Sequence, residues 1–154
     1  MRWQQGRVAI DSMISRGEIE RVPASRAQAD ELLAQAAQHI QAAETIASID
    51  PTGAYQLLYN AARKVLNAVL ENQGLRATSR GGHIAVLDAV SAQLDPPLGG
   101  ILRPFDRLRR RRNQAEYPSA DSPRLESGDV NRDLPRVRDI LDAVAKVLDQ
   151  MSPF

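Results

Sequence analysis

The sequence predicts an all-α protein, with residues 26–154 folded as a compact antiparallel bundle of four to five main helices. Apolar residues recur mostly at spacings of three and four, and strand-like alternation is not sustained over any segment. Prolines and glycines divide the chain into segments of helical length. At 154 residues, with 43% hydrophobic and only 4% aromatic residues, the chain has the size of one domain and an aliphatic core.

The N-terminal segment, residues 1–25, has the composition of a short helix that packs on the bundle. Its apolar residues with helical spacing are Val8, Ile10, Met13 and Ile14. Ser25 is a typical N-cap, and the Ala-rich stretch that follows predicts a helix over 26–48. Pro51 ends this helix, because the residue before a proline avoids helical geometry.

The middle of the chain predicts two further helices. Thr52 can cap a helix over 53–73, and Gly74 is a natural stop beyond its end. The polar segment 75–82 predicts a loop, and the apolar spacing after it predicts a shorter helix over 83–94.

The last third of the chain predicts an arginine-rich helix and a C-terminal helix. The first spans 101–116, with an irregularity expected at Pro104. The segment 117–128 has the composition of a loop. The final helix is predicted over 129–151, where Pro135 either lies near the first turn or marks a kink.

Composition excludes several classes of function. The absence of cysteine excludes disulfides, a thiolate nucleophile and Cys-bound zinc, and with two histidines we expect neither a metal nor a cofactor. No Walker A, dinucleotide-binding or HExxH motif is present. Because no apolar run approaches the roughly 18–20 residues of a membrane span and the N-terminus lacks signal-peptide features, we expect a cytoplasmic protein without membrane contact.

Charge is concentrated in one segment of a chain whose net charge is only +1. Residues 101–117 carry six arginines and two acids, a local charge of +4, which leaves −3 for the rest. The four consecutive arginines at 109–112 point around a helix at about 100° per residue, so at least one must lie inward or in an interface. This feature is either an anion-binding patch or a surface or subunit contact. In the first case the guanidinium groups suit phosphate, and the predicted RNA- or phosphate-binding residues are Arg107, Arg109, Arg111 and His83.

One set of residues in this helix can carry chemistry. Arg110, Asn113 and Tyr117 are three and four residues apart and share a face if the helix persists, so a cation, an amide and a phenol can hold a phosphate and orient a ribose hydroxyl. None of them carries a proton readily at neutral pH. His83 is able to supply that function from another helix, although its place after Gly81-Gly82 favours a capping or packing role.

The chain resembles the HEPN family, the higher eukaryote and prokaryote nucleotide-binding domains. The resemblance covers about residues 26–150 and is carried by the helix over 54–73, the segment TSRGGHIAVLDAV and the helix end RRRRNQAEYP. It implies a helical bundle that forms a homodimer and binds RNA or a nucleotide. It also implies a metal-independent endoribonuclease of a toxin–antitoxin or defence system, with a nucleotidyltransferase as a potential partner.

The family motif is an arginine, often followed by a polar residue, and then a histidine four to six residues on. With Arg112-Asn113 as its start, the histidine position falls on Tyr117. With Arg110 as its start it falls on Ala115, and Tyr117 then matches the tyrosine that partner nucleotidyltransferases modify with AMP in some toxin pairs. Either way the histidine is missing. The catalytic set that the resemblance implies is Arg110, Arg112, Asn113 and Tyr117.

Three functional hypotheses remain open from the sequence. The first is a HEPN-like endoribonuclease. The second is a non-catalytic HEPN module that binds RNA, a nucleotide or a protein such as a nucleotidyltransferase. The third is a structural role, in which the arginine helix forms a dimer contact with the acids Glu126, Asp129 and Asp133.

Overall fold

The structure is a computed structural model that describes residues 3–154; Met1 and Arg2 of the predicted N-terminal segment lie outside the described residues. It is an all-α helical bundle with one small antiparallel ribbon, as the apolar periodicity predicts. The elements are α1 (Arg7–Ser15), β1 (Ile19–Arg21), α2 (Arg26–Ile46), α3 (Pro51–Gln73), β2 (Leu75–Ala77), α4 (Gly82–Leu94), α5 (Gly99–Leu102), α6 (Pro104–Glu116) and α7 (Ser127–Val147). No helix within residues 3–154 has the length and apolar character needed to cross a bilayer.

Helix α3 is the centre of the bundle, because 13 of its 23 residues are buried. It packs against α2, α4, α6 and α7, and its contact with α2 is the most extensive between any two elements described. The core is mainly aliphatic, as predicted, but three aromatic side chains are fully buried in it: Tyr55, Tyr59 and Phe105. Tyr59 and Phe105 join α3 to α6 with ring centroids 5.6 Å apart. This contact fixes the arginine-rich helix against the central helix.

The helix starts follow from specific caps. The hydroxyl of Ser25 accepts a hydrogen bond from the backbone N–H of Gln28 at 3.0 Å, which confirms the predicted N-cap of α2. The prediction that Thr52 caps α3 is wrong. The carboxylate of Asp50 accepts from the N–H of Gly53 at 2.9 Å, and Pro51 occupies the first helical turn, where its missing N–H costs nothing.

Part of the segment predicted as the loop 75–82 is strand β2, which pairs antiparallel with β1 so that Ile19 faces Ala77. The expected irregularity at Pro104 is real: the helical path is interrupted at Arg103, and α6 begins at the proline.

The last helix starts two residues before its predicted position, and its regular part ends at Val147 rather than at Met151. Pro135 therefore lies inside α7, beyond its first turn, and the helix continues through it. A capping box between Glu126 and Asp129 fixes the start of α7.

Candidate functional site

A pocket of about 360 Å³ opens between the start of α4 and the side of α6, and we call it the His83 pocket. Its α4 side is formed by the turn that carries His83, and its α6 side by Arg109, Arg112 and Asn113. Four of the eight residues predicted for the site are therefore brought together. They come from α4 and α6, which are separated in the sequence, and both helices pack against α3.

Tyr59 of α3 forms the floor beneath His83. The imidazole Nδ1 lies 2.6 Å from the Tyr59 hydroxyl, and the two rings are 5.7 Å apart. Since a phenol both donates and accepts, the imidazole proton can reside on either nitrogen. When Nδ1–H donates to the Tyr59 oxygen, Nε2 has a free lone pair with which to accept a proton. His83 is therefore a packing residue, as its position favours, and at the same time a wall of the pocket.

The charges around His83 favour its neutral form. Burial lowers the pKa of His83 below its ordinary value, and the cations Arg63, Arg112 and Arg109 lower it further. At neutral pH the imidazole is thus uncharged. That is the protonation state in which a histidine accepts a proton as a general base.

Arg112 is one of the inward-facing arginines that the run of four requires. Its side chain is 19% exposed, and its guanidinium lies over the Tyr59 ring, 4.7 Å from the centroid. One Nη donates to the carboxylate of Glu116 at 2.6 Å, and that carboxylate also accepts from the amide of Gln56 at 3.1 Å. Nε of Arg112 is buried without a hydrogen-bond acceptor among the described residues. Glu116 and the Tyr59 ring hold the guanidinium at the wall of the pocket.

Arg109 and Asn113 complete the α6 side of the pocket. Arg109 is 24% exposed and donates to Asp106 through Nε at 3.2 Å and Nη2 at 2.9 Å. Asn113 is half-buried and lines the pocket together with Arg109 and Arg112. The pocket thus joins a neutral imidazole, two guanidinium groups and an amide, which is a set suited to a phosphodiester.

The predicted line of Arg110, Asn113 and Tyr117 does not form one site. Arg110 lies outside the His83 pocket, is 65% exposed and pairs with Asp106 at 3.1 Å. Tyr117 is the C-cap of α6 and is 76% exposed. The helix ends at Glu116, so only Asn113 of the three reaches the pocket.

Arg111 was predicted to bind phosphate, but its side chain binds the loop before α7 instead. It is 18% exposed, and its guanidinium donates to the backbone oxygens of Pro123 and Arg124 at 3.0 and 3.3 Å and to Asp129 at 3.3 Å. These three acceptors direct its guanidinium toward the start of α7. Arg111 therefore fastens the loop before α7 to α6.

Two of the three acids that were expected to meet the arginine helix across a dimer meet it within the chain. Asp133 is 4% exposed and pairs with Arg107, and Asp129 pairs with Arg111. Glu126 is exposed and serves as the N-cap of α7. Asp129 and Asp133 therefore hold α6 on α7, and the dimer contact stays a prediction.

Sequence reasoning missed Tyr59, Glu116 and Arg63. Tyr59 lies on the apolar face of α3 and reads as an ordinary core residue, so only the contact between helices reveals its role beneath His83. The spacing of Arg112 and Glu116, one helical turn apart, was the signal for their pair.

Among residues 3–154, no three histidine, aspartate or glutamate side chains are grouped as a bound metal ion would require. No protein family, curated protein or solved structure matches this chain. A functional interpretation therefore depends on the geometry of the His83 pocket and on the resemblance in the sequence.

Proposed function

We propose that this chain is an RNA-associated protein of the HEPN type and acts as a metal-independent endoribonuclease. The observation that carries the proposal is the meeting of His83 with Arg112 and Asn113 in one pocket. The segment RRRRNQAEYP lacks the histidine of the family motif, and a histidine from α4 stands beside that segment instead. Its lowered pKa supports the role of a base at neutral pH.

The proposed reaction is attack of a ribose 2′-hydroxyl on the adjacent phosphorus. Nε2 of His83 takes the hydroxyl proton as the new O–P bond forms. Arg109 and Arg112 stabilise the additional negative charge on the phosphorane, and the Asn113 amide orients one phosphoryl oxygen. The 5′-oxygen then leaves and takes a proton from water or from the imidazolium. The products are a 2′,3′-cyclic phosphate and a free 5′-hydroxyl.

The homodimer, the RNA target and a role in a toxin–antitoxin or defence system follow from the resemblance alone and form part of the proposal. The position of Tyr117 supports the proposed nucleotidyltransferase partner. Its side chain is 76% exposed at the end of α6, so a partner enzyme has access to its hydroxyl. Intact-mass measurement of the protein purified with and without such a partner detects an added AMP.

The test is cleavage of RNA in EDTA by the wild-type protein and by His83→Gln and Arg112→Gln. The matched controls are His39→Gln and Arg138→Gln, which change the same residue types outside the pocket. We expect each pocket variant to lose at least about 100-fold in rate, since general base and electrostatic contributions have that size. The controls should cleave like the wild type.

Two results overturn the proposal. Cleavage by folded His83→Gln at the wild-type rate removes His83 from the mechanism. RNA binding by the wild-type protein without any cleavage, and without a modification on Tyr117, identifies a non-catalytic module instead.

A further inference from the structure

A second cluster of arginines lies beside the His83 pocket. A cleft of about 490 Å³ is lined by Arg103 between α5 and α6, by Arg107 and Arg110 on α6, and by Arg136 on α7. We call it the Arg103 cleft. Its four guanidinium-bearing residues come from three parts of the chain, so the fold and not only the arginine run assembles it.

The carboxylates near the Arg103 cleft do not balance its charge. Asp106 is shared, because one of its oxygens accepts from Arg109 and the other contacts Arg110 at 3.1 Å. Asp133 is also shared, between Arg107 and Arg136, and it accepts from the Tyr55 hydroxyl as well. Four cations thus face two carboxylates.

Arg103 is the cation of the cleft that the protein leaves for a ligand. Its side chain is exposed, and within residues 3–154 no hydrogen bond or ion pair joins it to the protein. A guanidinium presents five N–H donors in a planar fork that matches a phosphate. The excess charge and the unpaired fork together specify an anion with phosphate chemistry.

We propose that the Arg103 cleft binds a backbone phosphate of the same RNA strand whose scissile phosphate lies in the His83 pocket. This inference rests on the proposed function. The two sites are linked through Asp106, which pairs with Arg109 of the His83 pocket and with Arg110 of the Arg103 cleft. None of the described residues that line the cleft is aromatic and able to stack on a base, so the cleft holds the backbone without reading sequence. The cleft therefore binds RNA strands that extend beyond the scissile phosphate.

The experiment measures binding separately from cleavage by using 2′-O-methyl RNA, which lacks the attacking hydroxyl. Fluorescence anisotropy compares a dinucleotide and a 12-mer for the wild type, Arg103→Gln and the control Arg138→Gln. Arg138 forms an exposed ion pair with Glu44, and its replacement changes the net charge equally. Because the Arg103 side chain makes no hydrogen bond or ion pair within residues 3–154 and the substitution keeps its backbone bond to Gly99, Arg103→Gln should fold normally. Arg136→Gln provides a second variant of the cleft.

We expect Arg103→Gln to bind the 12-mer about tenfold more weakly than the wild type, the size of one charged hydrogen-bonded contact. Its slope of log affinity against log salt should fall by about 0.7, the value for one single-strand phosphate. Dinucleotide binding and the behaviour of Arg138→Gln should match the wild type.

Three results overturn the inference. The first is wild-type affinity of both Arg103→Gln and Arg136→Gln for the 12-mer. The second is an equal loss for the dinucleotide and the 12-mer. The third is that Arg103→Gln weakens the binding of inorganic tripolyphosphate, measured beside the two RNAs, and leaves 12-mer binding unchanged, which identifies a site for a free polyphosphate. Failure of the proposed function shows separately, as absent cleavage of unmodified RNA by a wild-type protein that still binds the 12-mer through Arg103.

Discussion

Replacement of Asp133 by alanine should destabilise the bundle at the point where three helices meet. Asp133 of α7 is 4% exposed and accepts a hydrogen bond at 2.8 Å from the hydroxyl of Tyr55 on α3. It also pairs with Arg107 on α6 and, at 3.2 Å, with Arg136 on its own helix. Burial, followed by the hydrogen bond to Asp133, raises the pKa of Tyr55, which agrees with a hydroxyl that donates to a carboxylate.

The size of the effect follows from the burial of each partner. Tyr55 is fully buried, so loss of its acceptor costs about 1–3 kcal/mol. The side chains of Arg107 and Arg136 are 44% and 41% exposed and rehydrate when the carboxylate is gone. Each of these screened pairs contributes about 0.5 kcal/mol. We expect Asp133→Ala to lower the free energy of unfolding by about 2–4 kcal/mol.

A double-mutant cycle in urea, followed by circular dichroism at 222 nm, tests this reasoning. Tyr55→Phe alone removes a hydroxyl but leaves Asp133 its arginines, and should cost about 1 kcal/mol. In Tyr55→Phe/Asp133→Ala no hydroxyl is left unpaired, so the loss should be smaller than the sum of the single losses by about 1 kcal/mol or more. Additive losses, or an Asp133→Ala loss under about 0.5 kcal/mol, refute the argument.

Four further predictions concern the site and one turn. Tyr59→Phe frees Nδ1 of His83, so kcat for RNA cleavage should fall about tenfold with little change in KM, measured by initial rates. Because the pKa of His83 is lowered, cleavage should rise with pH through a limb below about 6.5 and stay flat above it; Arg63→Gln should move that limb to higher pH. The free energy of unfolding should also depend on pH, because His83 takes up a proton more readily in the unfolded chain. The stability that neutral His83 provides should be present above about pH 6.5 and should be lost as the pH falls through the pKa of the folded state. Gly74→Ala should lower Tm, with a cost above about 1 kcal/mol, because φ is 81° and a Cβ would lie 2.7 Å from the carbonyl oxygen of Val22.

The helices were predictable because each buries a face whose period the sequence displays. The apolar stripe of α3 continues for six turns. Serine and glycine are favoured at helix starts and ends, and Ser25 and Gly74 occupy such positions. The ribbon of β1 and β2 was not predictable in this way. Strands of three residues are too short to show a period of two, and their pairing joins segments that lie more than fifty residues apart.

The site was only half predictable, since local spacing fixes which residues share a helix face but not which helix that face meets. The sequence named Arg109 as a phosphate-binding residue and Arg112 and Asn113 as catalytic residues, and the structure places all three on one pocket. Helical spacing grouped Tyr117 with Arg110 and Asn113, although the helix ends before Tyr117. Tyr59 was indistinguishable from other core residues, because its function as the support of His83 depends on the packing of α4 and α6 against α3.

The positions of the carboxylates decide which arginines of α6 can serve a ligand. Arg111 faces the start of α7, where Asp129 and two backbone oxygens accept its hydrogen bonds, so its guanidinium holds the loop. Arg112 turns the other way, toward α3, where its guanidinium lies over the Tyr59 ring while Glu116 of its own helix accepts from one Nη. A phosphate in the His83 pocket therefore meets a guanidinium that these two contacts hold in place. The four consecutive arginines thus divide between holding the fold together and facing the His83 pocket and the Arg103 cleft, and acids contributed by α6 and α7 determine that division.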